Sequence, residues 1–314
     1  MATFHTLISR NKRNTWLLIL GFSAFFVGMG LLIGYVWGQG EMAVSFGVAS
    51  LAAGIAFILT LASYFGGSSV LLGMSKARQI TRADDLELFN VVEELSIAGG
   101  VPVPKIYVID DTAMNAFATG RNPAHAAVAI TTGLRAKLTR DEIQAVMAHE
   151  MSHVRNYDIL FAMLTAVMVG VLVMMCDIFL RSVFYGAGRR RSSSRKDSGG
   201  AAVVILLVIG LVLAIIAPIL AKIIQMAISR QREFLADAGS VELARNPQAM
   251  ISALAKISND PEVLEVANRA TAPLYIVHPI KKFEERASSI FSTHPPIKDR
   301  IARLMELQGT GGRQ

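Results

Sequence analysis

His149-Glu150-Met151-Ser152-His153 is the stretch that decides how this chain is read. On a helix, residues four apart lie one above the other on a single face, so the imidazoles of His149 and His153 can share one divalent ion. Glu150 falls about a third of a turn away, beside the ion without having to ligate it. A zinc peptidase needs its general base at that place. The competing reading is a buried helix whose two histidines are satisfied by ordinary hydrogen bonds.

The flanks favour a helix. Thr139-Arg140-Asp141-Glu142 has the pattern of a capping box, with Thr139 as N-cap and Glu142 reaching back, and the acidic pair suits the positive end of the helix dipole. Residues 141–157 contain no Gly or Pro, while Ile143, Val146, Met147 and Val154 give an apolar stripe.

Further out, the composition leaves the range of soluble proteins. Of 314 residues, 53% are hydrophobic and only 18% charged, and the apolar ones are gathered into long blocks. This pattern predicts an integral membrane protein with a water-facing part. Residues 14–40 carry no charge, and Trp16 and Trp37 fall near the two ends as interfacial anchors would. An uncleaved signal anchor fits this length better than a cleaved signal peptide, whose apolar core would be shorter. Glu41 separates this run from a second, residues 42–75. Arg10, Lys12 and Arg13 precede the pair, Lys76, Arg78 and Arg82 follow it, and no Lys or Arg lies in the connection. The positive-inside tendency therefore puts the N-terminus and the segment after residue 75 in the cytoplasm.

Residues 159–176 and 198–221 are two more uncharged runs of spanning length, joined by a Ser/Gly-rich loop, 181–197, with Arg189, Arg190, Arg191, Arg195 and Lys196. About four transmembrane helices are expected. Two crossings by the second pair would put the basic loop outside, against the same tendency. A buried or partly dipping hairpin is the alternative, in keeping with Asp177 and Pro218 in or beside the runs. The length of 198–221 favours crossing.

The net charge of +7 does not point to nucleic acid: the basic residues flank apolar spans and suit lipid headgroups. Cys176, the lone cysteine, sits inside an apolar run, so neither a disulfide framework nor a thiolate metal site is available.

The expected organisation is a membrane hairpin (1–75), a first half of a catalytic domain (76–157), a second membrane hairpin (158–221), a second half (222–308) and a disordered tail (309–314). In the first half, residues 84–97 have helical spacing of Leu86, Phe89, Val92 and Leu95 and run into Gly99-Gly100. Residues 105–109 and 126–131 read as strands, with Asn115-Ala-Phe-Ala-Thr-Gly120 between them. Strands beside a metal-site helix would let an extended substrate add as another strand, bonding through backbone and tolerating many side chains. The plain alternative for the Asn115 segment is a turn and a strand start.

Two imidazoles do not complete a catalytic zinc site, which takes three protein ligands. A metzincin continuation would need Gly at 156 and His at 159, where this chain has Asn156 and Ile159. A glutamate from another helix is the other solution. Glu233 fits, with Asp237 one turn later placed to accept a ring N–H from a zinc histidine; Glu242, Glu262 and Glu265 are rivals on spacing alone.

Taken together, the His149–His153 motif, Glu233-Phe-Leu-Ala-Asp237, Asn115-Ala-Phe-Ala-Thr-Gly120 and Ser292-Thr-His-Pro-Pro296 resemble the bacterial HtpX family of membrane zinc endopeptidases, relatives of the CAAX prenyl protease and of the OMA-type proteases. The likeness covers nearly the whole chain. It implies a mainly α membrane protein with a cytoplasmic α+β gluzincin-type domain and a small β-sheet. One Zn2+ per chain would be held by His149, His153 and Glu233, with Glu150 as general base and proton shuttle and Asp237 behind the ligands. Asn115, Ala116, Phe117 and Ala118 would be the substrate-binding edge. His294 would lie near the cleft, stabilising an oxyanion or serving only a structural turn. The family's activity implies hydrolysis of misfolded or damaged membrane proteins and unfolded polypeptides at the cytoplasmic face of the bacterial inner membrane, as stress-response quality control. Two rivals of other classes are a catalytically silent metal-binding scaffold, disfavoured by the unligated Glu150, and a transporter, disfavoured because the histidines lie outside the apolar runs.

Overall fold

The computed structural model describes residues 4–38, 40–168, 230–265, 274–276 and 295–310. The second membrane hairpin beyond residue 168, the basic loop 181–197, Cys176, Asp177, Pro218, His294 and residues 311–314 lie outside the described residues.

Two long helices open the chain, α1 (Phe4–Trp37) and α2 (Met42–Met74). The windows that qualify as membrane spans, Asn11–Tyr35 and Met42–Met74, are only 29% and 17% buried within the protein, so most of their apolar surface is left for lipid. The two helices approach closely where small residues meet. A Cβ on Gly30 would come within 2.7 Å of the Ala49 Cα, a distance that only glycine allows.

The water-facing part is built on a four-stranded mixed sheet of order β1-β2-β4-β3, comprising β1 (Arg78–Gln79), β2 (Lys105–Ile109), β3 (Ala116–Gly120) and β4 (Ala126–Thr131). β2 and β4 run parallel; β1 and β3 flank them antiparallel. The Asn115 segment thus opens a real strand, and that strand is an edge. Helix α3 (Leu86–Gly99) is capped by the Asp85 carboxylate at its start and by Gly100, in the left-handed region at φ 63°, at its end. A short α4 (Thr132–Lys137) leads into α5 (Arg140–Arg155), which carries the histidine motif.

The capping box at the start of α5 is present in both directions: Thr139 Oγ1 accepts from Glu142 N, and Glu142 Oε2 accepts from Thr139 N at 2.8 Å. Glu142 does more than cap. Its carboxylate also receives Ser252 Oγ (2.6 Å) and Lys256 Nζ (2.7 Å), both from α8 (Pro247–Asn259), and so ties that helix to α5. α5 ends just before Tyr157, which takes φ 60°, and α6 (Asp158–Met168) follows. Phe161, Met163 and Leu164 of α6 pack against Leu18, Phe22 and Phe26 of α1 and Ala56 and Leu71 of α2. The described part of the third apolar run is therefore a helix seated against the first hairpin. α7 (Arg230–Ala244) and α9 (Ile297–Thr310) complete the described elements. The main core lies between α3, α5, α8 and one face of the sheet, with Leu88, Val92, Ile106, Ile130, Val146, Met147 and Leu254 all buried.

Candidate metal centre

The centre forms where α5 crosses α7. The two helices meet at small side chains: Ser240 Oγ donates to the Ala145 carbonyl at 3.0 Å, and a Cβ on Gly239 would stand within 2.8 Å of the Ser152 Cβ. This close crossing lays the first turns of α7 over the last turns of α5, and Glu233 comes to face both histidines.

His149 and His153 present their rings nearly at right angles, centroids 4.9 Å apart. Their Nε2 atoms lie 3.7 and 3.6 Å from the two oxygens of Glu233. Such separations are too long for hydrogen bonds. They are close to the spacing of about 3.4 Å expected for two donors that each sit about 2.1 Å from one tetrahedral ion. The Nε2 of His149 is buried with no hydrogen-bond partner among the described residues, an orphan that a histidine merely satisfied in a core would not have. One ligand atom from each of the three residues lies within 4.8 Å of the others, and it is the one such group among the described residues. Two nitrogens and a carboxylate oxygen suit zinc.

The remaining ring nitrogens are held from behind. His149 Nδ1 lies 3.0 Å from Asp237 Oδ1, and His153 Nδ1 lies 3.1 Å from Asp158 Oδ2. Each carboxylate accepts the Nδ1 proton, which fixes the tautomer with the Nε2 lone pair turned toward Glu233. Asp237 had a place in the sequence pattern; Asp158 did not. Nor did Arg300, a fully buried arginine whose guanidinium donates to Asp237 from Nε (2.9 Å) and Nη2 (2.6 Å) and to the Ile276 carbonyl from Nη1 (2.9 Å). Its Nη1 is also 3.6 Å from Glu233 Oε2. Arg300 lies four residues past Pro296 of the Ser292–Pro296 motif, at a position that no sequence pattern marks. Only the pairing of its burial with Asp237 distinguishes it from a surface cation.

The electrostatics follow from this packing. Burial pushes the His149 imidazole down, and Arg300 and His153 add to that against the pull of Asp237. For His153 burial acts the same way, but the Asp158 hydrogen bond and the Glu233 charge outweigh it and push the ring up to about 9. Burial would raise Asp237, yet Arg300 and His149 hold it below the usual carboxylate range. Glu150 is 2% exposed. Burial, reinforced by Glu233 and opposed by His153, Arg300 and, least, the Ala118 backbone, lifts its carboxyl to about 7.

Helix α5 also packs against the sheet edge, β3. Thr131 N donates to Asn115 O, so alternate residues of β3 turn their backbone groups toward β4. Ala116 and Ala118 turn theirs outward, and Ala116 O accepts from Ile276 N at 3.0 Å. Phe117 points to the other face, where its ring meets Tyr275 edge-on at 5.2 Å.

Two helix-borne imidazoles, a carboxylate from a crossing helix and a paired shell behind them define a zinc metallopeptidase. A family model described as Peptidase family M48 matches residues 82–308. A protease HtpX homolog of Streptococcus thermophilus (strain CNRZ 1066) is 43% identical over 303 residues, 96% of this chain and 98% of that one. A second, from Dictyoglomus thermophilum, is 43% identical over 304 residues, 96% of this chain and 94% of that one. The chain belongs to peptidase family M48 and, within it, to the HtpX family of zinc metalloproteases. The crystal structure of S. mikatae Ste24p is similar at 20% identity and a TM-score of 0.48, covering 95% of this chain and 66% of that one.

Proposed function

We propose that this membrane zinc peptidase cleaves internal bonds of misfolded or damaged membrane proteins and of unfolded polypeptides at the cytoplasmic face of the bacterial inner membrane. The observation that carries the reading is the place of Glu150: a buried carboxylate one residue from the zinc ligand His149, on the helix that packs against the edge strand β3.

His149, His153 and Glu233 hold the zinc, which supplies Lewis acidity toward water and a peptide carbonyl. Glu150 accepts the proton of the attacking water at its carboxylate and returns it to the departing amine nitrogen. Asp237 and Asp158 keep the imidazoles in their ligating tautomers, and Arg300 keeps Asp237 ionised against burial. The outward backbone groups of residues 115–118 receive substrate as an added strand, with no demand on its side chains. A substrate paired there takes over the Ala116 carbonyl from Ile276 N–H. His294, outside the described residues, is assigned to the oxyanion side.

In this reading residues 1–75 form the membrane hairpin, 76–157 and 222–308 form the two halves of the cytoplasmic catalytic domain, and 158–221 form a second hairpin that crosses the membrane twice. Basic residues in the first turns of α1 (Arg10, Lys12, Arg13) and after α2 (Lys76, Arg78, Arg82), with none in the connection, support a cytoplasmic N-terminus. Casein hydrolysis by detergent-solubilised protein tests the assignment. Turnover should stop with chelator, return with zinc and be absent in Glu150→Gln. Equal turnover by the wild type and Glu150→Gln would remove it.

A further inference from the structure

The carboxylate behind His153 is itself held from an unexpected direction. Asp158 Oδ2 takes the His153 Nδ1 proton, while its other oxygen, Oδ1, is 2.5 Å from Asn11 Nδ2 at the start of α1. The same Asn11 nitrogen donates to the Asn156 carbonyl at 3.0 Å. Both partners are pure acceptors, so the amide has one orientation that fits, with both N–H groups used. Asn11 is 5% exposed and its own carbonyl accepts from Thr15 Oγ1 at 2.9 Å. Next to it Lys12 Nζ lies over the Tyr157 ring, 4.8 Å from its centroid. One turn of α1 thus grips residues 156–158, the junction where α5 gives way to α6, and Leu18 and Phe22 continue the contact down α6.

Arg232 also approaches Asp158, with Nη1 3.9 Å from Oδ1. That contact is longer than a hydrogen bond. Asn11 Nδ2 is within bonding distance of that oxygen, and it is neutral. An aspartate there would set a second carboxylate against Asp158, and an apolar residue would leave both the Asn156 carbonyl and Asp158 short of a donor.

We infer that Asn11 is a positioning residue of the zinc centre: through Asp158 it fixes the ring of His153, so the first membrane helix completes a metal site otherwise assembled from the catalytic domain. The amide acts at a distance from the ion and touches no substrate. Its loss loosens one ligand, and the first observable is how long the protein keeps its metal.

The test uses the full chain in detergent, loaded with zinc and challenged with a chromogenic chelator, for wild type, Asn11→Asp, Asn11→Ala, Asp158→Asn and the double variant Asn11→Ala/Asp158→Asn. Removing partners behind a ligating histidine weakens metal binding about 10–100-fold, so Asn11→Asp should release zinc about tenfold faster than wild type. Asn11→Ala should release zinc faster than wild type when Asp158 is present, and should add nothing in the Asp158→Asn background. Leu18→Ala, which cuts the packing of α1 on α6 without touching the amide, should lower the melting temperature while zinc release stays within about twofold of wild type. Release rates of the Asn11 variants within twofold of wild type would overturn the inference. So would an equal effect of Asn11→Ala in both backgrounds, or release by Leu18→Ala as fast as by Asn11→Asp, since each marks general loosening.

Discussion

Gly239 of α7 lies so close to Ser152 of α5 that a methyl group on it would collide with the Ser152 hydroxyl. This contact sets the distance between the helix that carries two zinc ligands and the helix that carries the third. Gly239→Ala should therefore push the helices apart, costing about 1–3 kcal/mol by overpacking and lowering zinc content more than an alanine elsewhere on α7. Thermal unfolding together with metal analysis of the purified variant checks it.

Arg300 gives a sharper case. It is fully buried, and its partner Asp237 is 3% exposed. Removing one side of such a pair leaves the other charge without compensation, so Arg300→Ala should destabilise by about 3–5 kcal/mol. Arg300→Lys should not restore the loss, because an ammonium cannot bond Asp237 through two nitrogens and reach the Ile276 carbonyl as well. Denaturant titration of both variants reads this directly.

Stability against acid should depend on Glu142. Burial would raise its pKa, but the Lys256 and Ser252 contacts and the Thr139 N–H bring it below its ordinary 4.5. A carboxylate with a depressed folded-state pKa stabilises the protein above its unfolded value, and that contribution fades as pH falls below 4.5 and through the folded-state value. Melting temperature followed from pH 7 to pH 3 should therefore fall less steeply in Glu142→Gln, from a lower starting point, than in wild type.

The local elements were legible because their causes are local. Thr139 and Glu142 announce the start of α5, Gly99-Gly100 the end of α3, and the β-branched and apolar runs the strands at 105–109 and 126–131. The histidine pair and Glu233 were legible because coordination chemistry restricts both residue type and helical spacing. Asp158, Arg300 and Asn11 were not. Each acts across a long separation in sequence, and each looks in one dimension like a helix-end acid, a surface cation or a polar residue at a membrane boundary. Their roles arise only when α1, α7 and α9 converge on α5.

Edge pairing on β3 makes a further prediction. Ile276→Pro deletes the N–H that now bonds the Ala116 carbonyl. Because a substrate strand takes over that same carbonyl, the variant should lower KM for an unfolded substrate about 5-fold or less, the worth of one hydrogen bond of about 1 kcal/mol, with zinc content unchanged. Steady-state casein kinetics with parallel metal analysis would show it, and an unchanged KM would count against pairing at that carbonyl.

The convergence of His149, His153 and Glu233 on one ion is the central claim, and zinc-edge X-ray absorption of the purified protein tests it most directly. The account predicts one zinc per chain in a shell of nitrogen and oxygen at about 2.0–2.2 Å with two imidazoles, unchanged in Glu150→Gln and lost or rearranged in Glu233→Ala. A sulfur ligand at about 2.3 Å, or a spectrum and zinc content left intact by Glu233→Ala, would contradict it.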